Sequence, residues 1–333
     1  MRRFAHYTAL LALGGALLIG CGQKGDPVSL GQGQPVNAQG KKPKIAISIP
    51  AADHGWTAGI GWWAEQATKL HPECDWVIET AQNSGEQIND LETLASQGID
   101  GIVILATESA PVTPAAKELK EKGIFIVNVD RGFTEDIADI FLEGDNSAFG
   151  RKSAEYIVQK TGGKGKVLIL RGIPSTVDTD RYEAAMAVFK GTPGIQVLDA
   201  PAGEWNREKA LNVTQAMLAK HKQIDVIWAA DDDMALGAET AIKEAGRENQ
   251  IWMIGGGGMK DVVKRVMDGD KMFPADITYP PSMIATGIHL AASSLRDGKL
   301  AEIKKFMPKR IKMDVELITP ANAKDYYFPD SIY

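Results

Sequence analysis

From Lys44 onward, short runs of apolar, β-prone residues alternate with longer segments in which apolar residues recur at helical spacing. The helical spacing is clear in the first such segment, where Ile60, Ala64 and Ala67 fall on one face. This alternation predicts βαβ units that assemble into parallel sheets. The predicted strands span residues 45–49, 76–79, 102–105, 125–129, 167–170, 226–229 and 252–254.

The alternation runs twice along the chain, over residues 44–144 and 147–277, with the acidic link 143–146 between them. We therefore expect an α/β fold with two similar doubly wound parallel-sheet lobes joined by a three-strand hinge. The predicted N-terminal lobe comprises residues 44–145 plus 279–308, and the C-terminal lobe comprises 146–278 plus 309–333. The hinge crossings are expected near residues 143–147, 277–280 and 308–314.

The first 21 residues have a basic start, a short apolar stretch and the sequence Leu18-Ile19-Gly20-Cys21. This layout is typical of an export signal, and its last four residues resemble a bacterial lipobox, which implies lipidation of Cys21. A transmembrane anchor and an ordinary secretory signal are the alternatives. Residues 22–43 are poor in large apolar side chains and predict a flexible tether. We expect a membrane-anchored lipoprotein in the periplasm or at the cell surface.

Composition narrows the class of partner. The chain is 44% hydrophobic and carries a net charge of −6, which is typical of a soluble core and argues against a polyanionic partner such as nucleic acid. The acidic run 231–233 precedes a predicted helix, where carboxylates stabilise the N-terminus without a metal ion. We expect neither a metal nor a cofactor.

Candidate binding residues follow the predicted strands, because open parallel sheets bind ligands beyond the carboxyl ends of their strands. Aromatic rings, carboxylates and arginines are mixed at these positions. Charged groups form strong hydrogen bonds and flat rings cover C–H faces, so the mixture suits a polyhydroxylated ligand such as a sugar. The positions are 52–57, 130–132, the loop around Arg181, 204–206, 231–233 and 278–279.

These residues resemble a known family, the periplasmic sugar-binding proteins of the ribose- and galactose-binding type that serve ABC importers. The resemblance runs from Lys44 onward and is carried by segments 45–57, 127–131, 143–146 and 228–238, together with Arg181. It implies a type I periplasmic binding protein that closes its two lobes on a neutral monosaccharide or polyol. It further implies a monomer that delivers this ligand to an ABC permease with its ATPase.

The resemblance also implies roles for individual residues. Trp56 and Trp205 would sandwich the sugar ring from opposite lobes, while Asp130 and Arg131 would clasp ring and hydroxyl oxygens. The full set of ligand-binding residues that it implies is Asp53, His54, Trp56, Thr57, Asp130, Arg131, Arg181, Trp205, Asp231 and Tyr279.

One position departs from the family pattern. Relatives often present an aspartate to the sugar after a strand where this chain has Gly257, within the run Gly255-Gly256-Gly257-Gly258. Asp276 or Lys260 would bind the sugar in place of this aspartate, or one hydroxyl group of the ligand would lack its usual partner.

Three alternative functions stay open at this stage. Asp130 and Asp231 could imitate the paired carboxylates of a glycosidase, but the sequence has no nucleophile elbow, His-Glu-x-x-His helix or Cys/His ligand set, and we expect no enzymatic activity. The protein could instead present its ligand to a membrane sensor or chemoreceptor. Arg131 or Arg181 could also bind the carboxylate of an amino acid or another small acid.

Overall fold

The strands form where the sequence places its runs of β-branched and apolar residues. The computed structural model describes residues 41–333, so the predicted lipidation site Cys21 and most of the predicted tether lie outside the described residues. In chain order, the strands are Lys44–Pro50 (β1), Asp75–Ala81 (β2), Gly101–Ile104 (β3), Phe125–Val129 (β4), Ile140–Gly144 (β5), Gly165–Leu170 (β6), Ile195–Asp199 (β7), Val226–Ala229 (β8), Trp252–Ile254 (β9), Asp276–Ile277 (β10), Arg310–Met313 (β11) and Leu317–Ile318 (β12).

Helices connect most of these strands. They are Gly55–Lys69 (α1), Ser84–Ser96 (α2), Ser109–Glu121 (α3), Asn146–Lys160 (α4), Thr176–Lys190 (α5), Arg207–Lys220 (α6), Asp232–Glu244 (α7), Lys260–Met267 (α8), Met283–Leu295 (α9) and Leu300–Ile303 (α10). Among residues 41–333, none of them combines the length and apolar character needed to cross a membrane.

The first sheet contains six parallel strands in the order β11-β5-β4-β3-β1-β2. Its central strands are apolar on both faces because helices cover both faces. On one face, Ile45 and Ile47 pack with Ile60 of α1, and on the other Ile102 and Ile104 pack with Leu91 of α2. We call this sheet with α1, α2, α3, α9 and α10 the first lobe.

The second sheet contains four parallel strands in the order β7-β6-β8-β9. Beside it, β10 and β12 form an antiparallel ribbon that lies next to α4 and α8. We call these strands with α4 to α8 the second lobe. The chain passes between the lobes three times, at 144–146 after β5, at 277–283 before α9 and at 313–317 between β11 and β12.

All of the predicted strands are present, and the fold class agrees with the expectation from the sequence. The runs of apolar residues did not predict the strands β5, β7, β10, β11 and β12. In β11, charged and apolar residues alternate because it is an edge strand with one solvent-facing side. The predicted lobe boundary at residue 309 differs from the strand pairing, since β11 pairs with β5 of the first sheet.

Asn128 connects the core of the first lobe to the loop that follows β4. Its side chain is buried, and Nδ2 donates to the carbonyl oxygens of Ile104 (3.1 Å) and Arg131 (3.0 Å). Its Oδ1 accepts from the backbone N–H of Phe133 at 3.3 Å. A strand residue thereby fixes the position of the backbone at Arg131.

We predict that Asn128→Ala lowers the free energy of unfolding by about 2–4 kcal/mol, because it leaves two buried carbonyl groups without their donor. Chemical unfolding monitored by circular dichroism measures this change. Asn89→Ala, at an exposed position of α2, is the matched control and should change stability by less than about 0.5 kcal/mol. Equal stabilities of the two variants would contradict the assigned role.

Candidate ligand-binding cleft

A cavity lies between the two lobes, beyond the carboxyl ends of strands from both sheets. The empty space in it, together with the solvent-open space at its mouth, is about 330 Å³. Its position follows the general rule for ligands of open parallel sheets. The residues that line it are His54, Trp56, Asp130, Arg131, Val177, Arg181, Trp205, Asp231, Gly256, Tyr279 and Tyr333.

Eight of the ten predicted binding residues line this cavity, and Asp53 and Thr57 do not. Asp53 is largely exposed, and its Oδ1 lies 2.6 Å from Nδ1 of His54. Thr57 Oγ1 lies 2.9 Å from the carbonyl oxygen of His54 and accepts from the backbone N–H of the same residue. Both residues therefore orient His54 at the start of α1, and direct contact of either residue with a ligand stays a prediction.

Asp130 and Arg131 follow β4 directly, and both side chains are buried. Arg131 Nη1 donates to the carbonyl oxygens of Ala106 (3.1 Å) and Thr107 (2.9 Å) at the end of β3. Asp130 has a φ of 64°, a left-handed conformation that is uncommon for a residue with a side chain. Such strain concentrates at functional sites, where the surrounding structure holds it in place.

Arg181 lies in α5, not in a loop as the sequence suggested. Its Nε donates to Asn146 Oδ1 at 2.9 Å, and its Nη1 donates to the carbonyl oxygen of Ala230 at 2.6 Å. Its guanidinium also lies 3.8 Å from the ring centroid of Phe149 and 4.3 Å from that of Tyr279. Hydrogen bonds and cation–π contacts together hold this buried charge.

Tyr279 links the two lobes at the second of the three crossings between them. Its hydroxyl donates to Asp130 Oδ1 at 2.5 Å, and its carbonyl oxygen accepts from Trp56 Nε1 at 2.9 Å. The indole N–H of Trp56 thus has its hydrogen-bond partner within the chain. The remainder of its ring is available to the cavity as an apolar surface.

Trp205 reaches the cavity from the loop after β7, with a φ of 54°. Its indole lies so close to Gly172 that a Cβ there would be 2.1 Å from Cε2, and only glycine leaves room for it. The guanidinium of Arg131 lies 4.9 Å from the centroid of the Trp205 ring. Trp56 and Trp205 therefore enter the same cavity from opposite lobes, as the predicted sandwich requires.

The acidic run 231–233 divides into three separate roles. Asp231 lines the cavity and accepts from the backbone N–H of Met234 at the N-terminus of α7. Asp232 accepts from the backbone N–H groups of Gly256 and Met259, and Asp233 accepts from Gly55 across the cleft at 2.9 Å. Among residues 41–333, no group of His, Cys, Asp and Glu side chains has the arrangement needed to hold a metal ion.

Burial sets the protonation behaviour of the cleft carboxyls. Burial raises the pKa of Asp231 to about 7, with Asp233 adding to the rise and His54 opposing it. Burial also raises the pKa of Asp130, although the charge of Arg131 and the hydrogen bond from Tyr279 oppose the shift. The buried carboxyls of Asp232 and Asp276 interact, and the pKa of Asp276 rises to about 7.

Three buried polar groups of the cavity lining have no hydrogen-bond partner within the described chain. They are Nε of Arg131, Nε1 of Trp205 and the hydroxyl of Tyr333. Buried donors without partners are costly, so these groups are suited to bind the oxygen atoms of a ligand. Together with the aromatic surfaces of Trp56 and Trp205, they give the cavity both free hydrogen-bonding groups and flat apolar surfaces.

Three residues that line the cavity were not among the predicted binding residues: Val177, Gly256 and Tyr333. Val177 is one helical turn before Arg181 on α5, so the helical spacing could have identified it. Gly256 belongs to the glycine run that follows β9. Tyr333 is far from every predicted strand end, and no local pattern indicates its position.

The two parallel sheets, the three crossings between them and the cleft define a type I periplasmic binding protein. The chain belongs to the periplasmic binding protein family, whose domain model matches residues 45–300, and it is similar to sugar-binding proteins of the ribose type. The resemblance stated from the sequence is confirmed.

Three known proteins illustrate the similarity. The ribose import binding protein of Bacillus subtilis is 25% identical over 284 residues, which cover 85% of this chain and 91% of that protein. The fructose-binding periplasmic domain of a hybrid two-component system is 27% identical, with a TM-score of 0.76, over 85% of this chain and 92% of its own. An ABC transporter solute-binding protein from Actinobacillus succinogenes with bound D-allose is 26% identical, with a TM-score of 0.74. The match covers 86% of this chain and 100% of that protein.

We predict that Asp231→Asn makes stability less dependent on pH. With a pKa of about 7 in the folded protein and about 4 in the unfolded chain, Asp231 lowers stability as pH rises between these values. Asparagine keeps the helix cap but does not titrate. The variant should therefore lose about 2–3 kcal/mol less than the wild type between pH 5 and pH 8 in urea unfolding.

Asp145→Asn is the matched control, because Asp145 caps α4 through the backbone N–H of Ala148 and is not in the cavity. If Asp231→Asn and the wild type lose the same stability between pH 5 and pH 8, the buried carboxyl does not titrate as described.

Proposed function

We propose that the protein is an extracytoplasmic solute-binding lipoprotein of an ABC sugar importer, which closes its lobes on a neutral monosaccharide or polyol and delivers it to the permease. The observation that carries the proposal is the set of unpartnered buried donors beside two indole rings from opposite lobes. Sugars offer hydroxyl oxygens at their edge and C–H groups on their faces, so one ligand satisfies both features.

Contacts across the cleft support the closing step of the proposal. Asp233 of the second lobe accepts from the backbone N–H of Gly55, and Thr176 Oγ1 accepts from that of Gly132 at 3.0 Å. A ligand that contacts both lobes favours this arrangement by its differential affinity for the closed form. We assign the hinge to the three crossings between the lobes.

The names of two relatives support a role in transport, and the name of a third supports a role in sensing. One relative is an import binding protein and another belongs to an ABC transporter, whereas a third is a domain of a two-component system. Presentation of the ligand to a membrane sensor is therefore the second candidate, and it uses the same cleft.

Two other functions receive less support from the cleft. The Asp130 carboxylate accepts a hydrogen bond from the Tyr279 hydroxyl, and the Asp231 carboxylate caps α7. Both carboxyl groups that a glycosidase would use are therefore already hydrogen-bonded within the chain. Nη1 of both Arg131 and Arg181 donates to backbone carbonyls, which reduces their capacity to clamp a ligand carboxylate. We propose a binding protein without catalytic activity, in line with its relatives.

The first test is a thermal-shift screen of the purified protein with pentoses, hexoses, polyols and amino acids. A ligand at 100 times its dissociation constant should add about 2.7 kcal/mol of stability. We predict that Trp205→Ala weakens binding of any sugar found by about tenfold or more, because one stacking surface is lost. Isothermal titration calorimetry measures the change in the dissociation constant.

Trp62→Ala is the matched control for this test, since Trp62 lies on α1 as Trp56 does but is partly exposed and outside the cavity. It should leave the dissociation constant unchanged.

Two outcomes would contradict the proposal. A thermal shift with amino acids and with no sugar would overturn the proposed ligand class. Unaltered sugar binding by Trp205→Ala would refute the proposed stacking of the sugar between the two tryptophans.

The lipoprotein part of the proposal has its own test. We predict that Cys21→Ser moves the protein from the membrane to the soluble extracytoplasmic fraction, because the acyl chains on this thiol provide the anchor. Cell fractionation with immunoblotting measures the distribution. Cys74→Ser, at a buried position of the folded body, should leave the protein on the membrane. Membrane retention of Cys21→Ser would contradict lipidation at this residue.

A further inference from the structure

Tyr333 places a hydroxyl group in the cleft from a segment without regular secondary structure. Its side chain is 6% exposed, its hydroxyl has no hydrogen-bond partner within the described chain, and it lines the same cavity as Asp231 and Trp205. A buried hydroxyl of this kind is destabilising unless another molecule supplies its partner. The arrangement therefore indicates a ligand contact.

The hydroxyl occupies the space where the family pattern leads us to expect an aspartate side chain. A Cβ placed on Gly257 would lie 2.1 Å from the Tyr333 hydroxyl oxygen, and Gly257 has a φ of +140° that other residues rarely adopt. Neither candidate substitute fills this place. Asp276 is fully buried outside the cavity lining, and Lys260 donates to the carbonyl oxygens of Ser331 (2.8 Å) and Pro329 (3.4 Å).

Lys260 thereby fastens the segment that carries Tyr333 to the start of α8. The tyrosine ring lies against Gly55 of α1 in the first lobe and against Gly257 in the second lobe. It also lines a larger groove that includes Trp62 and Phe328. Tyr333 therefore borders both the cleft and this groove.

We infer that Tyr333 is a specificity-determining ligand contact, which supplies the hydrogen bond that the Gly257 position lacks. The inference rests on the proposed function. The ligand it selects is a monosaccharide or polyol with a hydroxyl group directed at the glycine run. The phenol both donates and accepts, so it pairs with a neutral hydroxyl.

The surroundings keep the phenol in its neutral form. Burial and the nearby carboxyls of Asp232, Asp231, Asp233 and Asp276 raise the pKa of Tyr333 well above its ordinary value. The group therefore retains its proton throughout the physiological range and can donate to a ligand oxygen.

Calorimetric titration of the full chain with D-ribose, D-allose, D-fructose, myo-inositol and xylitol tests the inference. We predict that Tyr333→Phe weakens the binding of each accepted probe by about fivefold, through the loss of one hydrogen bond. The same variant should melt at the wild-type temperature or slightly above it without a probe, because the hydroxyl has no partner within the chain to lose. Tyr327→Phe, in the same segment and outside the cavity, is the matched control and should bind as the wild type does.

The titrations distinguish a failure of the role of Tyr333 from a failure of the proposed function. Equal dissociation constants for the wild type and Tyr333→Phe with every accepted probe would overturn the role of Tyr333 and leave the proposed function intact. Absence of binding by the wild type to all five probes would overturn the proposed function and the role of Tyr333 with it. Equal weakening by Tyr327→Phe and Tyr333→Phe would show a general effect of the segment, which also refutes the inference.

Discussion

Two buried guanidinium groups, those of Arg131 and Arg181, determine how the cleft is built. A buried charge is tolerated only when hydrogen bonds and opposite charges surround it. Arg131 obtains them from carbonyl groups at the end of β3 and lies near Asp130, whereas Arg181 obtains them from Asn146 and from the end of β8. Each guanidinium thereby fixes the strand ends of its own lobe beside the cavity, and Tyr279, at the second crossing between the lobes, donates to Asp130.

This constraint also explains why the cleft is suited to binding. The backbone carbonyls satisfy part of each guanidinium, and Arg131 Nε, Trp205 Nε1 and the Tyr333 hydroxyl are left for a ligand. The residues that hold these groups come from both lobes, and two of the cavity residues, Asp130 and Trp205, have left-handed backbone conformations. Side chains fixed in this way require little rearrangement within each lobe when a ligand binds, which favours affinity.

Sequence patterns predicted the parts of this protein that depend on local order. Buried parallel strands are continuous apolar runs, so β1, β4 and β8 were found, and the residues that follow them supplied five of the eleven residues that line the cavity. The edge strand β11 was missed because alternating charges hide it, and Arg181 was assigned to a loop although it lies on α5. Tyr333 could not be predicted, because its position depends on tertiary contacts with Gly55 and Gly257 and on no local pattern.

In the proposed complex, a sugar or polyol binds between Trp56 and Trp205 with its hydroxyl groups on the buried donors of the cleft. The most direct measurement is a crystal structure of the protein with the best-binding sugar of the screen. We expect a ring stacked between the two indoles and ligand oxygens within hydrogen-bond distance of Arg131 Nε and Trp205 Nε1. A ligand bound outside the cleft, or one that leaves both donors unpartnered, would contradict the proposed complex.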